Sequence, residues 1–203
     1  MSAAIDILQK VQEMFLRLGI KSVSMDDICR ELGISKKTLY QIIPNKKTLI
    51  RQVIENYLSA EHDKIQRIKE KSQDPVHELV LIASHVMRMI RKVCPTTTYD
   101  LRKYYRENWR QLDQTRNRMI HNDIKRNLEH GIKEGIYRED IDPDLISILY
   151  TRMATYIVDE KILDVEQPGN LELYNQFIKY HIRGIATSRG ILLLNKYESI
   201  LNS

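Results

Sequence analysis

The run Ser24-Met-Asp-Asp-Ile-Cys-Arg-Glu-Leu-Gly-Ile-Ser-Lys-Lys-Thr-Leu-Tyr-Gln-Ile-Ile-Pro-Asn-Lys-Lys47 writes a helix, a tight turn and a short basic helix in one stretch. Leu32 ends an apolar helical stripe, Gly33 can take the left-handed conformation that closes it, and Ser35 can cap the next helix. Two helices therefore meet at a sharp corner. The second, from Lys36 to about Ile42, places Leu39 and Ile43 on its inner face. Lys36, Lys37, Thr38, Tyr40 and Gln41 then turn to solvent, a placement that suits a DNA major groove.

Charge supports that reading. The whole chain of 203 residues carries a net charge of only +5. Residues 28 to 51, however, hold Arg30, Lys36, Lys37, Lys46, Lys47 and Arg51 against Glu31 alone. A solvated helix face can be this basic, so the charge gains its meaning from the turn chemistry beside it. The apolar fraction of 42% can fill a real core. Cys29 and Cys94 lie in apolar helical strings and read as small core residues, which fits a reducing cytoplasm. The N-terminus lacks a basic segment followed by an unbroken apolar run, and no stretch approaches the roughly 18 apolar residues of a membrane span. The expectation is a cytoplasmic protein with no membrane partner.

Helical periodicity dominates, with Gly and Pro confined to the breaks, and no segment alternates as a strand would. The fold class is therefore all-α, with about nine helices. The first helix spans about 4 to 18 through Ala4, Leu8, Val11, Phe15 and Leu18, and Gly19 stops it. Ser24 with Asp27 forms a capping box ahead of Met25, Ile28, Cys29 and Leu32. Asn45 caps a long helix running through Leu49, Ile50, Val53, Ile54, Tyr57, Leu58, Ile65 and Ile68. Further helices are expected over 76 to 94, ended by Pro95, and over 98 to 112, 114 to 134 and 142 to 158, the last with its inner stripe at Ile146, Leu149, Met153 and Ile157. A final long helix runs from about 170 to 194.

The context of the turn sharpens its meaning. Phe15 precedes Gly19, Ser24 caps Asp26-Asp27-Ile28, and Gly33-Ile34-Ser35-Lys36-Lys37-Thr38-Leu39-Tyr40 leads to Pro44-Asn45-Lys46 at the head of a long helix. Residues 5 to 54 thereby resemble the TetR family of bacterial transcriptional regulators. Farther on, the segment from Phe177 to Gly190 is similar too. The resemblance implies an N-terminal three-helix DNA-binding domain with a helix-turn-helix over residues 1–47. It also implies a larger helical ligand-binding and dimerisation domain over 48–203, and a homodimer.

Family roles can be set against the chemistry of the residues. Ser24 and the amides near it can hold a phosphate oxygen, and Ser35, Lys36, Lys37, Thr38 and Gln41 stand at the groove side of the recognition helix. Tyr40 contacts backbone phosphate in relatives, and Lys46 offers an amide and an ammonium at a helix start. Ile42-Ile43 departs from the family pattern, which more often has a polar or aromatic residue and then Phe.

Beyond residue 70 the sequence is an apolar helical body with few clues to chemistry. The resemblance places an inducer cavity there, with Met87, Tyr104, Tyr105, Trp109, Met119, Tyr150 and Met153 as candidate walls for a flat or flexible apolar ligand. In the last helix Phe177, His181, Gly184 and Ser188 form one stripe, and Ile178, Ile182, Ile185 and Leu192 an adjacent one. Two stripes need two partners. The dimer is accordingly expected to use Phe177, Ile178, His181, Gly184, Ile185 and Ser188.

Enzymatic constellations are missing from the sequence: there is no Gly-x-x-x-x-Gly-Lys loop, no Gly-x-Ser-x-Gly elbow and no Glu-x-x-His pair. Its six histidines lack metal-like pairing. The expectation is a non-enzyme with neither metal nor cofactor, binding double-stranded DNA and a small-molecule inducer. Most specifically, it is a homodimeric repressor released from a palindromic operator. The rival is a helical protein-interaction or non-specific nucleic-acid-binding protein without operator specificity.

Overall fold

The computed structural model describes residues 2–91, 95–159 and 170–201, with side chains at 6–91, 96–159 and 171–201. Among them lie ten helices: α1 (Ser2–Leu18), α2 (Met25–Leu32), α3 (Lys36–Ile42), α4 (Lys46–Lys71), α5 (Pro75–Ile90), α6 (Pro95–Tyr104), α7 (Arg106–Lys133), α8 (Pro143–Asp159), α9 (Asn170–Ile185) and α10 (Ser188–Leu201). The fold is all-α, as periodicity indicates. The expectation for Cys94 falls outside the described residues.

The chain packs as two compact units, residues 1–63 with 92–115 and residues 64–91 with 116–203. The boundary expected after residue 47 lies inside the first unit. Its core gathers Val11, Phe15, Ile20, Val23, Ile28, Leu39, Ile43, Leu49 and Ile50, together with Leu101 of α6 and Leu112 of α7. The second unit buries Leu79, Val80, Ile124, Leu128, Tyr137, Tyr150, Ile157, Tyr174, Ile178, Ile182 and Leu194 around one centre.

Three expected helix limits move. The break expected near residue 113 falls at Tyr105, between α6 and α7. There the backbone still bonds on both sides, Tyr105 N–H to Leu101 O at 3.0 Å and Trp109 N–H to Tyr105 O at 2.9 Å. A bend that keeps its hydrogen bonds needs no Gly or Pro, so no sequence signal marks it. Pro95 begins α6 instead of simply ending the helix before it, a position where its missing N–H costs nothing.

The single helix expected over 170 to 194 is two. Residues 136–138, just past α7, lie beside its middle: Arg138 N–H donates to Ile185 O at 2.8 Å and Thr187 N–H to Ile136 O at 3.0 Å. These bonds take backbone groups that a continuous helix would use internally. Thr187 then precedes α10 as its cap, its hydroxyl donating to Ile136 O at 3.0 Å. A Cβ on Gly190 would stand 2.4 Å from that same Ile136 carbonyl oxygen, so the small residue serves close approach of this strap.

The inner stripe of α8 also shifts. Ser147, Tyr150, Thr151, Ala154 and Ile157 face the core, whereas Leu149 and Met153 are 61% and 48% exposed. Serine and threonine can line a helix interface because their hydroxyls bond the preceding turn. Thr151 Oγ1 donates to Ser147 O at 2.7 Å, and Ser147 Oγ to Asp144 O at 2.9 Å.

Candidate nucleic-acid interface

The corner between α2 and α3 is built as its residues dictate. Ser24 Oγ accepts the Asp27 N–H at 3.1 Å while Asp27 Oδ2 accepts the Ser24 N–H at 2.9 Å, a reciprocal capping box. Gly33 takes φ +65°, and the following Ile34 N–H returns to Cys29 O at 3.1 Å. Ser35 caps α3 by accepting the Thr38 N–H at 3.1 Å. Leu39 and Ile43 are fully buried, which fixes the rotation of the short helix. Ser35, Lys36, Lys37, Thr38, Tyr40 and Gln41 are all exposed on its other side. Ile42 joins them at 50% exposure, so any base contact it makes is apolar.

The charges on this face are partly engaged. Lys36 Nζ pairs with Asp26 Oδ2 at 2.8 Å, and this carboxylate holds the ammonium pKa above its usual value. Such an exposed pair is weak and exchanges readily for another acceptor. Ser24 Oγ also donates to Asp27 Oδ2 at 2.6 Å, so a phosphate there competes with a carboxylate for that hydrogen.

Lys46 is placed differently from the sequence expectation of an outward ammonium. Its Nζ turns inward and donates to Ile20 O and Val23 O at 2.5 Å each. Burial lowers its pKa, and Asp100 and Asp27 oppose that only in part. Lys46 thus clamps the α1–α2 loop from the first turn of α4. From α6, Asp100 Oδ2 accepts the Lys21 N–H of the loop at 2.7 Å, and Thr97 Oγ1 donates to Phe15 O in the last turn of α1 at 2.8 Å. Sequence reading missed this support, because residues from 96 to 101 carry no local sign of a partner some eighty positions earlier.

The candidate ligand residues divide between the two units. Tyr104, Tyr105 and Trp109 belong to the first, where Tyr104 is exposed and the other two are half-buried. Met87, Met119, Tyr150 and Met153 belong to the second. There Met87 and Tyr150 sit in the core, Met119 is half-buried and Met153 faces solvent. Burial raises the Tyr150 phenol to about 12. The exposed Tyr104 and Met153 depart from a cavity-wall role.

The expected dimer stripe is corrected in part. Ile178 and Ile185 are 0% and 3% exposed and belong to the core. His181 also turns inward, its ring 4.8 Å from that of Tyr150, and Phe177 is half-buried at 5.2 Å from the same ring. Gly184 and Ser188 remain exposed. Apolar surface is offered instead by α8, through Leu145, Leu149, Met153 and Tyr156, and by Tyr180 of α9. Spacings of four, four and three along α8 carry this signal in the sequence, but the same spacings suit an inward stripe equally well.

Residues 7–53 match the family model described as bacterial regulatory proteins, tetR family. Over 181 residues the chain is 27% identical to YhgD of Bacillus subtilis (strain 168), described as an uncharacterized HTH-type transcriptional regulator, spanning 83% of this chain and 92% of that one. Residues 7–53 thus carry the N-terminal domain of the tetR family. Another relative is the HTH-type transcriptional repressor KstR2 of Mycolicibacterium smegmatis, 24% identical over 196 residues and covering 91% of each chain. The fold agrees with a TetR-family regulator from Agrobacterium tumefaciens at TM-score 0.71, with 18% identity over 92% of this chain and 98% of that one. It agrees also with FadR of Bacillus subtilis in complex with stearoyl-CoA at TM-score 0.66, with 16% identity over 90% and 99%. These relatives are regulators and not enzymes. The matched family is one of bacterial regulatory proteins, and the two relatives are named as transcriptional regulators. Among the described residues no helix is long and apolar enough to cross a membrane, and no three metal-binding side chains gather.

Proposed function

We propose that the chain is a homodimeric repressor, acting in the cytoplasm and released from a palindromic operator by a small, largely apolar ligand. DNA reading falls to the three helices through residue 47. Ligand binding and dimerisation fall to residues beyond it, with 48–63 and 92–115 as packing support for the reader. The observation that carries this reading is the α3 face, where buried Leu39 and Ile43 hold Lys36, Lys37, Thr38, Tyr40 and Gln41 outward. Lysine offers guanine O6 and N7 a donor, and a threonine methyl can meet thymine. Amides at the starts of α2 and α4 supply phosphate contacts at Ser24 and Lys46, and the exposed Tyr40 phenol supplies another.

A twofold dimer presents two such helices to successive major grooves. The exposed apolar row Leu145, Leu149, Met153 and Tyr156 supports pairing through α8, joined by Gly184 and Ser188 of the following helices. For the ligand, the support is a buried aromatic and methionine core around Met87 and Tyr150, and a neighbour in the fold that holds stearoyl-CoA. Helices α4 and α7 each contribute residues to both compact units, so ligand and DNA can be negatively coupled through them.

Replacing Lys36 with alanine is expected to weaken the preferred duplex about tenfold and to flatten the preference over a scrambled competitor. Fluorescence anisotropy with a duplex selected from a random library reads both. An equal loss on every duplex would remove Lys36 from base reading. Sedimentation at micromolar concentration should give a dimer, and a monomer would withdraw the paired arrangement.

A further inference from the structure

The first unit carries a second basic surface that the α3 face does not include. Lys21 of the α1–α2 loop and Lys103 of α6 gather around Tyr104, their ammonium groups 4.5 and 5.4 Å from its ring centroid. Lys21 Nζ donates to the Tyr104 hydroxyl oxygen at 3.2 Å, and Lys103 Nζ to that of Tyr99 at 2.5 Å. Both tyrosines are exposed, at 43% and 53%, and their rings meet edge to face at 6.4 Å. Among the described residues no carboxylate stands within ion-pair distance of either ammonium. The nearby Asp100 is turned to the Lys21 main chain.

This arrangement is a set of donors without an anion. Each phenol oxygen already accepts from a lysine, so its own O–H is left to donate outward, and each ammonium keeps further N–H groups. Two like charges held around one ring repel, and a bound anion would relieve that repulsion. The patch also adjoins the reader along the chain. Lys21 lies three residues before the Ser24 cap, on the loop whose Ile20 and Val23 carbonyls are held by Lys46 at the head of α4.

We propose that Lys21, Lys103, Tyr99 and Tyr104 form an accessory seat for the DNA sugar-phosphate backbone, flanking the bases read by α3. The seat rests on the reading of the chain as an operator-binding regulator. It adds sequence-independent affinity outside the operator core, from a helix not part of the helix-turn-helix. Phosphate contacts of this kind position a protein and carry no base preference.

The test compares a duplex selected from a random library, trimmed to its specified bases, with the same duplex extended by about one helical turn of unrelated sequence at each end. The wild-type protein should bind the extended duplex about five- to tenfold more tightly at low salt. A Lys21→Ala, Lys103→Ala double variant should lose that advantage, with a salt slope on the extended duplex lower by about one to two. Its affinity for the trimmed duplex should stay unchanged. Lys103→Arg should keep most of the advantage, and an unaltered melting temperature establishes that the double variant is folded.

If the double variant keeps the wild-type advantage, as it would were the patch to serve an acidic protein, the seat is overturned. A wild-type protein indifferent to duplex length overturns it equally. A folded double variant that loses the trimmed duplex as well would move the patch into the operator core, against the flanking assignment. Failure to select any duplex would instead defeat the regulator reading itself, so the two failures are distinguishable.

Discussion

Replacing Lys46 with alanine is expected to lower affinity for every duplex by about ten- to a hundredfold while leaving the salt slope nearly unchanged. The ammonium is committed to the Ile20 and Val23 carbonyls, so its loss acts on the shape of the reader before it acts on charge. Without that clamp the loop ahead of Ser24 loses its tie to the first turn of α4, and two phosphate anchors drift together. Hydrogen bonds from a charged donor contribute more than neutral ones, and the variant should also unfold about 2 kcal/mol more easily. Urea unfolding and anisotropy titrations over a range of salt read the two effects separately. A slope that falls by about one would instead place the ammonium on a phosphate, as its position at the head of a helix first suggests.

Stability should fall as pH is lowered from about 6.5 to about 4, with His181 contributing on the order of 3 kcal/mol of the loss. Burial among Tyr150 and Phe177 lowers the imidazole to about 4, and its Nε2 has no hydrogen-bond partner. The unfolded chain, with an ordinary histidine near 6.5, takes up a proton across this window that the folded chain refuses. The contribution is therefore fully present above pH 6.5 and lost as pH falls toward the folded value. His181→Leu should flatten the profile relative to wild type in urea unfolding at a series of pH values. Parallel profiles for the two proteins would show that His181 is not the group responsible.

Legibility in the sequence depends on how far each signal reaches along the chain. The capping box at Ser24, the turn at Gly33 and the Ser35 cap are contacts within five residues, and α2 and α3 have the limits those residues imply. The orientation of α3 is legible for the same reason, since one turn of helix decides that Leu39 goes in and Lys36 out. Lys46 is legible as a helix start but not as a clamp, because its carbonyl partners lie more than twenty residues away. The interruption between α9 and α10 depends on residues 136–138, and no local residue announces it. On α8 apolar side chains occur nearly all round the helix, so periodicity alone cannot choose its inner face. Ser147 and Thr151 settle the matter by bonding their own helix.

The first unit is assembled from two separated stretches, 1–63 and 92–115. Leu101 and Leu112 complete its core, Asp100 holds the loop that precedes the reader, and Thr97 holds the end of α1. Transplanting this DNA specificity onto another helical regulator would therefore mean carrying both stretches. A graft cut after residue 47 would keep every base-facing side chain while leaving behind the scaffold that aims them.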